Sequence, residues 1–487
     1  MHTHPQGALA SVSSYRWVIC AMLFFATSVN YLDRQVLSLT WKDFIAPEFH
    51  WTNNDYGNIT ALFSVFYAVS MLFAGRLVDH LDTKRGYMWA IGVWSVGACL
   101  HAFCGIATSG IIGGDWLVGF GEARDVIGTI GDVGLVVNVS VLLFVLARLI
   151  LAVGEAGNFP AAIKATAEYF PKKDRAFSTS IFNAGATVGA LAAPLSIPFI
   201  AELWGWEASF LIIGALGFVW MGAWIFIYKK PDVHPRVSAG ELAYIRQDGD
   251  NHEENTAGRR LSLMECFRYR QTWAFAAGKF MTDGVWWFFL FWTPAYLSAV
   301  YDMKSSDTAS QVAVFTLYAI TLLSIAGGWL PTYFVDRKGM NPYAGRMKAM
   351  LIFAFFPLLA LLAQPLGSLS YWFPVVIIGI AGAAHQAWSA NIFSTVGDMF
   401  PKSAIATVTG IGGMAGGISS FIINKSSGVL FDYAGKTEMT FMGFRGEEAG
   451  YFIIFSVCAV AYLIGWCIMK SLVPHYAPIT LDKHNSH

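Results

Sequence analysis

Residues 168–172 read EYFPK and residues 398–402 read DMFPK, so one short motif occurs twice, 230 residues apart. In each copy an acidic residue comes first, Phe-Pro-Lys closes the motif, and a glycine-rich apolar stretch follows. A proline directly after a long apolar run is typical of a loop that ends a helix. The motif therefore indicates two equivalent loops in a chain whose second half repeats the layout of its first.

A second pair of landmarks supports this repeat. Asp79 is followed by Lys84 and Arg85, and Asp336 is followed directly by Arg337 and another basic residue. These two acidic residues lie 257 residues apart, which is 27 more than the spacing of the first pair. The first half must therefore carry extra residues between its two landmarks.

The extra residues fall in the segment 108–136, which is rich in glycine and acidic residues and is expected to form a periplasmic insertion. The polar segment 231–270 separates the two halves and reads as a cytoplasmic linker. The sequence thus predicts an N-terminal six-helix bundle over residues 1–230 and a C-terminal six-helix bundle over residues 271–487. This is the layout of transporters whose halves rock about a central site.

The composition is that of a membrane protein. Of the 487 residues, 55% are hydrophobic and 13% are charged, whereas soluble proteins carry roughly 25% charged residues. The formal net charge is zero, which gives no indication of a nucleic-acid partner. The six cysteines form no C-x-x-C pair and show no metal-ligand spacing, so we expect neither a metal nor a cofactor.

Twelve apolar stretches are long enough to cross the hydrocarbon core as helices, which takes about 20 residues. We therefore predict an all-α membrane protein with twelve transmembrane helices in two pseudo-symmetric six-helix bundles. The first stretch contains Asp33 and Arg34 and lacks a small-residue cleavage site, so it reads as a retained helix. Spans 1 to 12 are predicted at 16–38, 57–78, 86–107, 137–160, 176–200, 207–229, 273–298, 311–335, 347–367, 372–397, 404–430 and 448–470.

Lysine and arginine are concentrated near both chain ends, in the 231–270 segment and in the connections that follow even-numbered spans. Because these residues mark the cytoplasmic side, both termini and the linker are predicted to be cytoplasmic, in a bacterial inner membrane. Five charged residues at this edge are expected to latch the halves together in the outward-facing state, with simple membrane anchoring as the alternative. They are Asp79, Lys84, Arg85, Asp336 and Arg337.

Charged residues inside the spans are the candidates for function, because a charge at mid-membrane costs about 2.5 kcal/mol or more. Arg148 and Glu155 are seven residues apart, so they share one helix face about 10 Å apart along the axis. A guanidinium can hold a carboxylate with two parallel hydrogen bonds, and a buried carboxyl group can exchange protons near neutral pH. This pair favours a proton-coupled anion carrier; the alternative is a fixed ion-pair network joining two helices.

Two further pairs of charged residues lie in spans 1 and 7. Asp33 and Arg34 are adjacent, so their directions differ by about 100°, and we expect one to reach a central cavity while the other contacts span 4. Lys279 and Asp283 are four residues apart on a helix and can pair with each other. Lys279 is also a candidate substrate ligand.

Three sets of motifs resemble those of a known family. GRLVD at residues 75–79, with the basic pair that follows it, resembles the loop motif of the major facilitator superfamily, although Asp82 stands where a glycine is usual. NYLDR at residues 30–34 and EAGNFP at residues 155–160 resemble its anion:cation symporter branch. GKFMTD at residues 278–283, with the HQAWSAN stretch of span 10, resembles the hexuronate transporters of that branch.

This resemblance implies a proton-coupled importer of a sugar acid, most specifically a hexuronate such as glucuronate or galacturonate, that works by alternating access. It implies that Asp33 is a proton site, that Arg34 binds the substrate carboxylate, and that Glu155 couples proton and substrate. Arg148 either binds substrate or holds Asp33.

Polar and aromatic side chains within the spans are candidates for contacting a sugar, since a polar group in an apolar helix needs partners. One of them, Asn183, lies beside a glycine of span 5 and suits a helix contact equally well. The candidates are Tyr31, Tyr67, Asn158, Asn183, Trp287, His385, Gln386, Trp388 and Asn391.

Other functions remain open at this point. Galactonate, glucarate or an aromatic acid could replace the hexuronate as substrate. A membrane-embedded enzyme lacks a catalytic constellation or phosphate loop in the sequence, and a non-transporting receptor would have only short tails for output. The expected partners are a small organic anion, protons and the lipid bilayer, with no nucleic acid, and the chain is expected to be a monomer.

Overall fold

The computed structural model describes residues 13–51, 53–248, 261–303 and 308–479. We call the helices before residue 230 the N-terminal half. It begins with α1, and a π-helical turn, Trp41–Ile45, leads from α1 into α2. Its helices are α1 (Tyr15–Thr40), α2 (Ala46–Phe49), α3 (Asn53–Ala102), α4 (Cys104–Gly113), α5 (Phe120–Thr129), α6 (Val133–Glu155), α7 (Asn158–Tyr169), α8 (Arg175–Trp204) and α9 (Trp206–Ile227).

The linker carries two short helices, α10 (Ala239–Ile245) and α11 (Leu263–Cys266). The helices after residue 269 form what we call the C-terminal half. A two-stranded antiparallel hairpin, β1 (Thr440–Phe441) and β2 (Phe444–Arg445), precedes its last helix. The helices are α12 (Arg270–Tyr301), α13 (Thr308–Thr321), α14 (Ser324–Lys338), α15 (Pro342–Phe355), α16 (Ala360–Gly367), α17 (Trp372–Met399), α18 (Ile405–Thr437) and α19 (Glu447–Leu472).

Every predicted span falls on helix, and the all-α membrane fold is confirmed. The range α3 comprises two helices that meet at Asp82 and correspond to spans 2 and 3, the second of which continues into α4. Spans 4, 8 and 9 are each divided between two helices, with a 3₁₀ turn between those of span 9. Among the described residues, nine helices are long and apolar enough to cross a membrane, with α3 counted once. Residues 1–12, 249–260 and 480–487, which include both chain ends and part of the predicted linker, lie outside the described residues.

The joint between spans 2 and 3 is a kink at Asp82 inside α3. Asp82 has φ +70° and ψ 159°, a backbone conformation that glycine adopts readily and other residues adopt only under strain. The motif that residues 75–79 resemble usually has a glycine at this position. Asp82 therefore stands in a backbone conformation that carries an energetic cost for a residue other than glycine.

The insertion predicted at 108–136 comprises the end of α4, the loop after it and α5. Arg124 of α5 donates to Glu48 at 3.1 Å and to Glu207 at 2.7 Å, and both carboxylates are almost fully buried. Glu48 also accepts a hydrogen bond from the Trp206 indole at 2.8 Å. One side chain of the insertion thus joins the α1–α3 connection to the start of α9.

We expect Arg124→Gln to destabilise the protein by about 2 kcal/mol at about pH 7.5, because two buried carboxylates lose their partner. Burial raises the pKa of Glu48, while the Trp206 hydrogen bond and the Arg124 charge lower it. An acid with a raised folded-state pKa gains stability as pH falls, so the deficit should shrink at about pH 5.5. Melting temperatures of purified protein at both pH values measure this effect.

Arg445→Gln is the matched control, because Arg445 and its partner Glu438 are both exposed and such pairs contribute about 0–1 kcal/mol. An equal loss of melting temperature at both pH values in Arg124→Gln would contradict the assigned role of the carboxylates.

The two halves pack against each other through two equivalent helix pairs, α3 with α18 and α8 with α14. Gly75 of α3 lies so close to α18 that an added Cβ would come within 2.0 Å of the Ala406 carbonyl oxygen. Gly328 of α14 meets Ser180 of α8 in the same way, with the Ser180 hydroxyl 1.7 Å from the added Cβ position. Close helix contact therefore depends on a glycine in one helix of each pair. We call the end of the molecule that carries Pro171 and Pro401 the basic end.

Candidate functional site

The charged residues of spans 1 and 4 meet in the N-terminal half. The Arg34 Nε atom donates to Glu155 Oε2 at 2.8 Å, joining α1 to α6. Asp33 is 2% exposed and Glu155 is fully buried. The charges of Glu155, Arg148 and Arg34 all act on the Asp33 carboxyl group. The structure thus brings together the four charged residues that the sequence singled out.

A break in span 4 positions the Glu155 carboxylate. Helix α6 ends at Glu155, and α7 begins at Asn158. Just before the break, Gly154 lies against α3, where an added Cβ would come within 2.1 Å of the Trp94 backbone nitrogen. Only glycine permits this approach of the two helices. The contact fixes the position of Glu155 along the helix axis, and with it the level at which its carboxylate faces α1.

Aromatic rings flank both guanidinium groups. The Arg34 Cζ atom lies 4.5 Å from the Tyr67 ring centroid and 5.1 Å from that of Tyr31. The Arg148 Cζ atom lies 5.1 Å from the Phe63 ring centroid. These cation–π contacts hold the planar cations in place. Sequence analysis missed Phe63, although its spacing of four residues from Tyr67 places both rings on one helix face.

Three polar atoms of this cluster are buried and lack a hydrogen-bond partner among the described residues: Arg34 Nη2, Asp33 Oδ2 and Glu155 Oε1. A buried polar group that stays unpaired costs about 1–3 kcal/mol, and more if it is charged. The cluster therefore presents one donor and two acceptors to a polar ligand.

A second charged pair lies in the C-terminal half. Lys279 Nζ and Asp283 Oδ2 are 2.7 Å apart on α12, as the spacing predicted. Lys279 Nζ also lies 4.2 Å from the ring centroid of Phe393, which stacks on Phe159 of α7 at 5.7 Å between ring centroids. Gly416 of α18 packs on Asp283 Oδ2, and the adjacent Gly417 packs on Ala68 of α3, next to Tyr67, so this pair and the Arg34 cluster border the same contact between α3 and α18.

The polar candidates of span 10 are all buried in α17. His385 Nδ1 lies 2.7 Å from the Tyr462 hydroxyl, and the His385 ring stacks on Trp286 at 5.3 Å. Trp388 packs edge-on against Tyr462 at 5.6 Å.

Asn391 donates to the Ala387 carbonyl at 2.8 Å. Gln386 is buried and Trp287 is half-buried. Their substrate-binding roles stay predictions.

The two asparagine candidates of the N-terminal half have different neighbours. Asn158 is fully buried and accepts a hydrogen bond from the Tyr87 hydroxyl at 2.7 Å. Asn183 donates to the Ser389 hydroxyl at 3.4 Å, across the two halves. Asn183 therefore makes a helix contact, and the substrate-binding roles of both asparagines stay predictions.

Asp79 joins the two halves at the basic end. Its carboxylate accepts from the backbone N–H of Thr407 at 2.7 Å and of Ala406 at 3.3 Å, in the first turn of α18. Lys164 lies 3.0 Å from the same carboxylate. An acid at a helix N-terminus interacts favourably with the free N–H groups and the helix dipole.

The other four predicted latch residues are less involved in contacts between the halves. Asp336 is exposed and lies 3.3 Å from Lys173 of the other half. Lys84 donates to the Ile225 carbonyl of its own half at 2.6 Å. Arg85 and Arg337 are exposed. The latch role of all these residues stays a prediction.

A buried cluster around Asp398 also joins the halves, and sequence analysis missed it. Arg346 Nη2 lies 3.0 Å and Arg175 Nη1 lies 3.4 Å from Asp398 Oδ1. Arg175 begins α8 of the N-terminal half and also donates to the Gly397 carbonyl. Asp398 is the acid of the DMFPK motif, so the repeat itself was a signal for this contact.

We expect Asp79→Asn to favour opening of the basic end, since it removes a buried charge that faces both Lys164 and a helix N-terminus. Such a charge contributes up to about 2 kcal/mol, which corresponds to a rise of about tenfold or more in the open population. The measurement is the maleimide labelling rate of Thr179→Cys, a buried position 3.4 Å from Ser394 across the halves.

The labelling uses a background in which the six native cysteines are replaced. Asp125→Asn is the control, because Asp125 is an exposed acid of α5 outside the predicted latch, and it should change the rate less than about twofold. Equal rates in Asp79→Asn and the parent would remove Asp79 from the latch.

Comparison with known proteins identifies the family. The Major Facilitator Superfamily model matches residues 23–423. The hexuronate transporter of Escherichia coli (strain K12) is 26% identical over 483 residues, covering 98% of this chain and 99% of the relative. The probable galactarate/D-glucarate transporter GarP of the same organism is 25% identical over 428 residues, covering 85% of this chain and 88% of the relative.

A solved structure has the same fold. The proton:xylose symporter XylE bound to 6-bromo-6-deoxy-D-glucose superimposes with a TM-score of 0.66 at 14% identity, covering 93% of this chain and 96% of that one. The chain therefore belongs to the Major Facilitator Superfamily, a family of multi-pass membrane transporters and not of enzymes.

Proposed function

We propose that this protein carries a sugar acid across the membrane together with protons, by alternating access. The observation that carries the proposal is the buried cluster of Asp33, Arg34, Arg148 and Glu155, in which one guanidinium nitrogen and two carboxylate oxygens have no hydrogen-bond partner among the described residues. Such a cluster is expensive in a membrane unless it serves a ligand.

The proposed binding step uses the Arg34 guanidinium. Its Nη2 atom is available for a carboxylate oxygen, and the flanking rings of Tyr31 and Tyr67 hold it in one orientation. Arginine suits a carboxylate because its donors form a rigid fork. Glu155 holds the Nε side of the same guanidinium, so substrate and Glu155 compete for one cation. That competition links the charge state of Glu155 to substrate binding.

The proposed proton site is Asp33. With all four groups ionised, the cluster of two acids and two bases is neutral. A proton on Asp33 leaves one positive charge in excess, which an anionic substrate then neutralises. After the halves have rocked, Asp33 releases its proton. The four charged groups are then neutral by themselves, so the anionic substrate is no longer needed to balance them and leaves the site. Arg148 acts on Asp33 electrostatically, and we assign it to holding this acid.

A hexuronate such as glucuronate or galacturonate is the substrate we propose. The hexuronate transporter relative spans nearly the whole chain, and a hexuronate has one carboxylate for Arg34 and several hydroxyls for the flanking polar groups. A galactarate or glucarate substrate is the second candidate, because a relative named for these acids is about equally similar. Galactonate and aromatic acids are further candidates.

We propose that the basic end faces the cytoplasm, with both termini on that side of the bacterial inner membrane and a monomeric chain of two bundles joined by the 231–270 linker. The excess of lysine and arginine at this end supports the orientation. The Asp79 and Asp398 contacts that join the halves at this end then correspond to an outward-facing state.

Uptake of radiolabelled glucuronate and galacturonate into proteoliposomes tests the proposal. An inward proton gradient should drive accumulation, and a protonophore should abolish it. Unlabelled galactarate, glucarate, galactonate and an aromatic acid compete in parallel reactions and rank the substrates. Binding without accumulation would indicate a receptor, and binding of none of these acids would overturn the proposed substrate class.

A further inference from the structure

The Lys279–Asp283 pair lies where the proposed substrate would meet the C-terminal half. Lys279 is 4% exposed, and its ammonium group is held by Asp283 at 2.7 Å and by the face of the Phe393 ring. The other carboxylate oxygen, Asp283 Oδ1, is buried and has no hydrogen-bond partner among the described residues. The pair is therefore neutral overall, but it presents an acceptor.

This acceptor faces the Arg34 cluster. An added Cβ at Gly416 of α18 would come within 2.2 Å of Asp283 Oδ2, and one at Gly417 would come within 3.2 Å of the Ala68 Cβ atom of α3. Ala68 follows Tyr67, whose ring centroid lies 4.5 Å from the Arg34 Cζ atom. Phe393, under the Lys279 ammonium group, stacks on Phe159 of the N-terminal half. We therefore expect the remaining groups of a substrate bound by Arg34 to meet Asp283.

The charges of the whole site have a simple balance. When Asp33 carries a proton, the Arg34 cluster has one positive charge in excess, and Asp283 already cancels the charge of Lys279. One substrate carboxylate makes the site neutral. A second carboxylate would find the Lys279 ammonium group already paired and would approach Asp283 Oδ1, an acceptor that carries charge of the same sign. The hydroxyl groups of a sugar can instead donate to that oxygen.

We infer that Asp283 is a specificity-determining residue: by neutralising Lys279, it restricts the site to sugar acids with one carboxylate and disfavours sugars with a carboxylate at each end. The inference rests on the proposed sugar-acid transport and goes beyond it, because it assigns the choice between a hexuronate and an aldarate to one side chain.

Competition in proteoliposomes tests this inference. Galactarate and unlabelled galacturonate each inhibit the uptake of labelled galacturonate, and each gives an inhibition constant. The quantity compared is the inhibition constant of galactarate divided by that of galacturonate. The wild type should show a ratio well above one. Asp283→Asn leaves the Lys279 charge uncancelled, and a charged hydrogen bond contributes about 1.5–3 kcal/mol. The ratio should therefore fall about tenfold or more.

The double variant Lys279→Gln with Asp283→Asn removes both charges together and should restore the wild-type preference. Asp283→Glu keeps the charge and should keep the ratio. A general structural defect would weaken both acids alike and leave the ratio unchanged. If Asp283→Asn does not fold, Lys279→Gln gives the opposite test, because the uncancelled Asp283 should raise the ratio.

The outcomes separate the two proposals. An unchanged ratio in Asp283→Asn, or in Lys279→Gln where that variant is the one used, overturns the inference while sugar-acid transport stands. A wild-type preference for galactarate does the same. Failure of the wild type to bind either acid overturns the proposed function, and the inference with it.

Discussion

Arg34→Ala is expected to reduce galacturonate uptake by at least about a hundredfold. Two losses combine in this variant. The substrate carboxylate loses the guanidinium that binds it, and Glu155 loses the donor that lies 2.8 Å from its carboxylate. Truncating one partner of a buried, hydrogen-bonded charge pair costs about 2–5 kcal/mol or more of binding free energy, and each 1.4 kcal/mol corresponds to a factor of about ten.

Two further variants separate binding from stability. Arg34→Lys keeps the positive charge but loses the planar fork and much of the stacking on Tyr31 and Tyr67, so uptake should fall about tenfold or more. Arg34→Ala combined with Glu155→Gln removes both members of the pair. It should recover much of the melting temperature lost in Arg34→Ala, because no uncompensated charge stays buried, but it should not recover uptake.

Arg268→Ala is the matched control, since Arg268 is exposed and belongs to none of the predicted sites. It should leave uptake within about twofold of the parent. Uptake by Arg34→Ala at more than about a tenth of the wild-type rate would show that the substrate carboxylate binds elsewhere.

Asp33→Asn is expected to abolish accumulation driven by a proton gradient while counterflow exchange of labelled galacturonate continues. Asparagine has almost the same shape as a protonated aspartic acid and cannot release a proton. The site therefore stays in the state that accepts an anion, and exchange of one substrate molecule for another needs no proton movement. Accumulation needs proton release on the inner side, which this variant lacks.

The measurements are accumulation ratios with and without an inward proton gradient, and counterflow into vesicles preloaded with unlabelled galacturonate. In the wild type, accumulation should rise as the external pH falls, because protonation of Asp33 from outside favours substrate binding. In Asp33→Asn this dependence should be absent. Asp125→Asn, an exposed acid in α5, should behave as the wild type. Gradient-driven accumulation by Asp33→Asn would exclude Asp33 as the transported proton's carrier.

Much of the fold could be predicted because its signals are local. Apolar stretches of about 20 residues determine where helices cross a membrane, and the EYFPK and DMFPK motifs mark equivalent loops of a repeat. The helix period places Arg148 with Glu155, and Lys279 with Asp283, on shared faces. The spacing of the two landmark pairs also located the insertion, because a difference in spacing does not depend on how the extra residues fold.

The role of that insertion required the structure. Arg124 is exposed on a short helix, and nothing in its neighbourhood in the sequence indicates that its partners are Glu48 and Glu207. The same holds for the Asp398 cluster, whose cations Arg346 and Arg175 come from two different halves of the chain. Partners separated by 50 to 230 residues meet only through helix packing.

The sequence by itself determined the class of protein, the repeat, and the charged side chains that lie within spans 1, 4 and 7, since each follows from hydrophobic length, helix period or the cost of a charge in lipid. Only the tertiary structure decided which helix faces which. It joined Arg34 of α1 to Glu155 of α6, and it stacked Phe393 of the C-terminal half on Phe159 of the N-terminal half. The physical reason is that burial is a property of each residue, whereas pairing depends on the rotation and contact of helices that are distant in the chain.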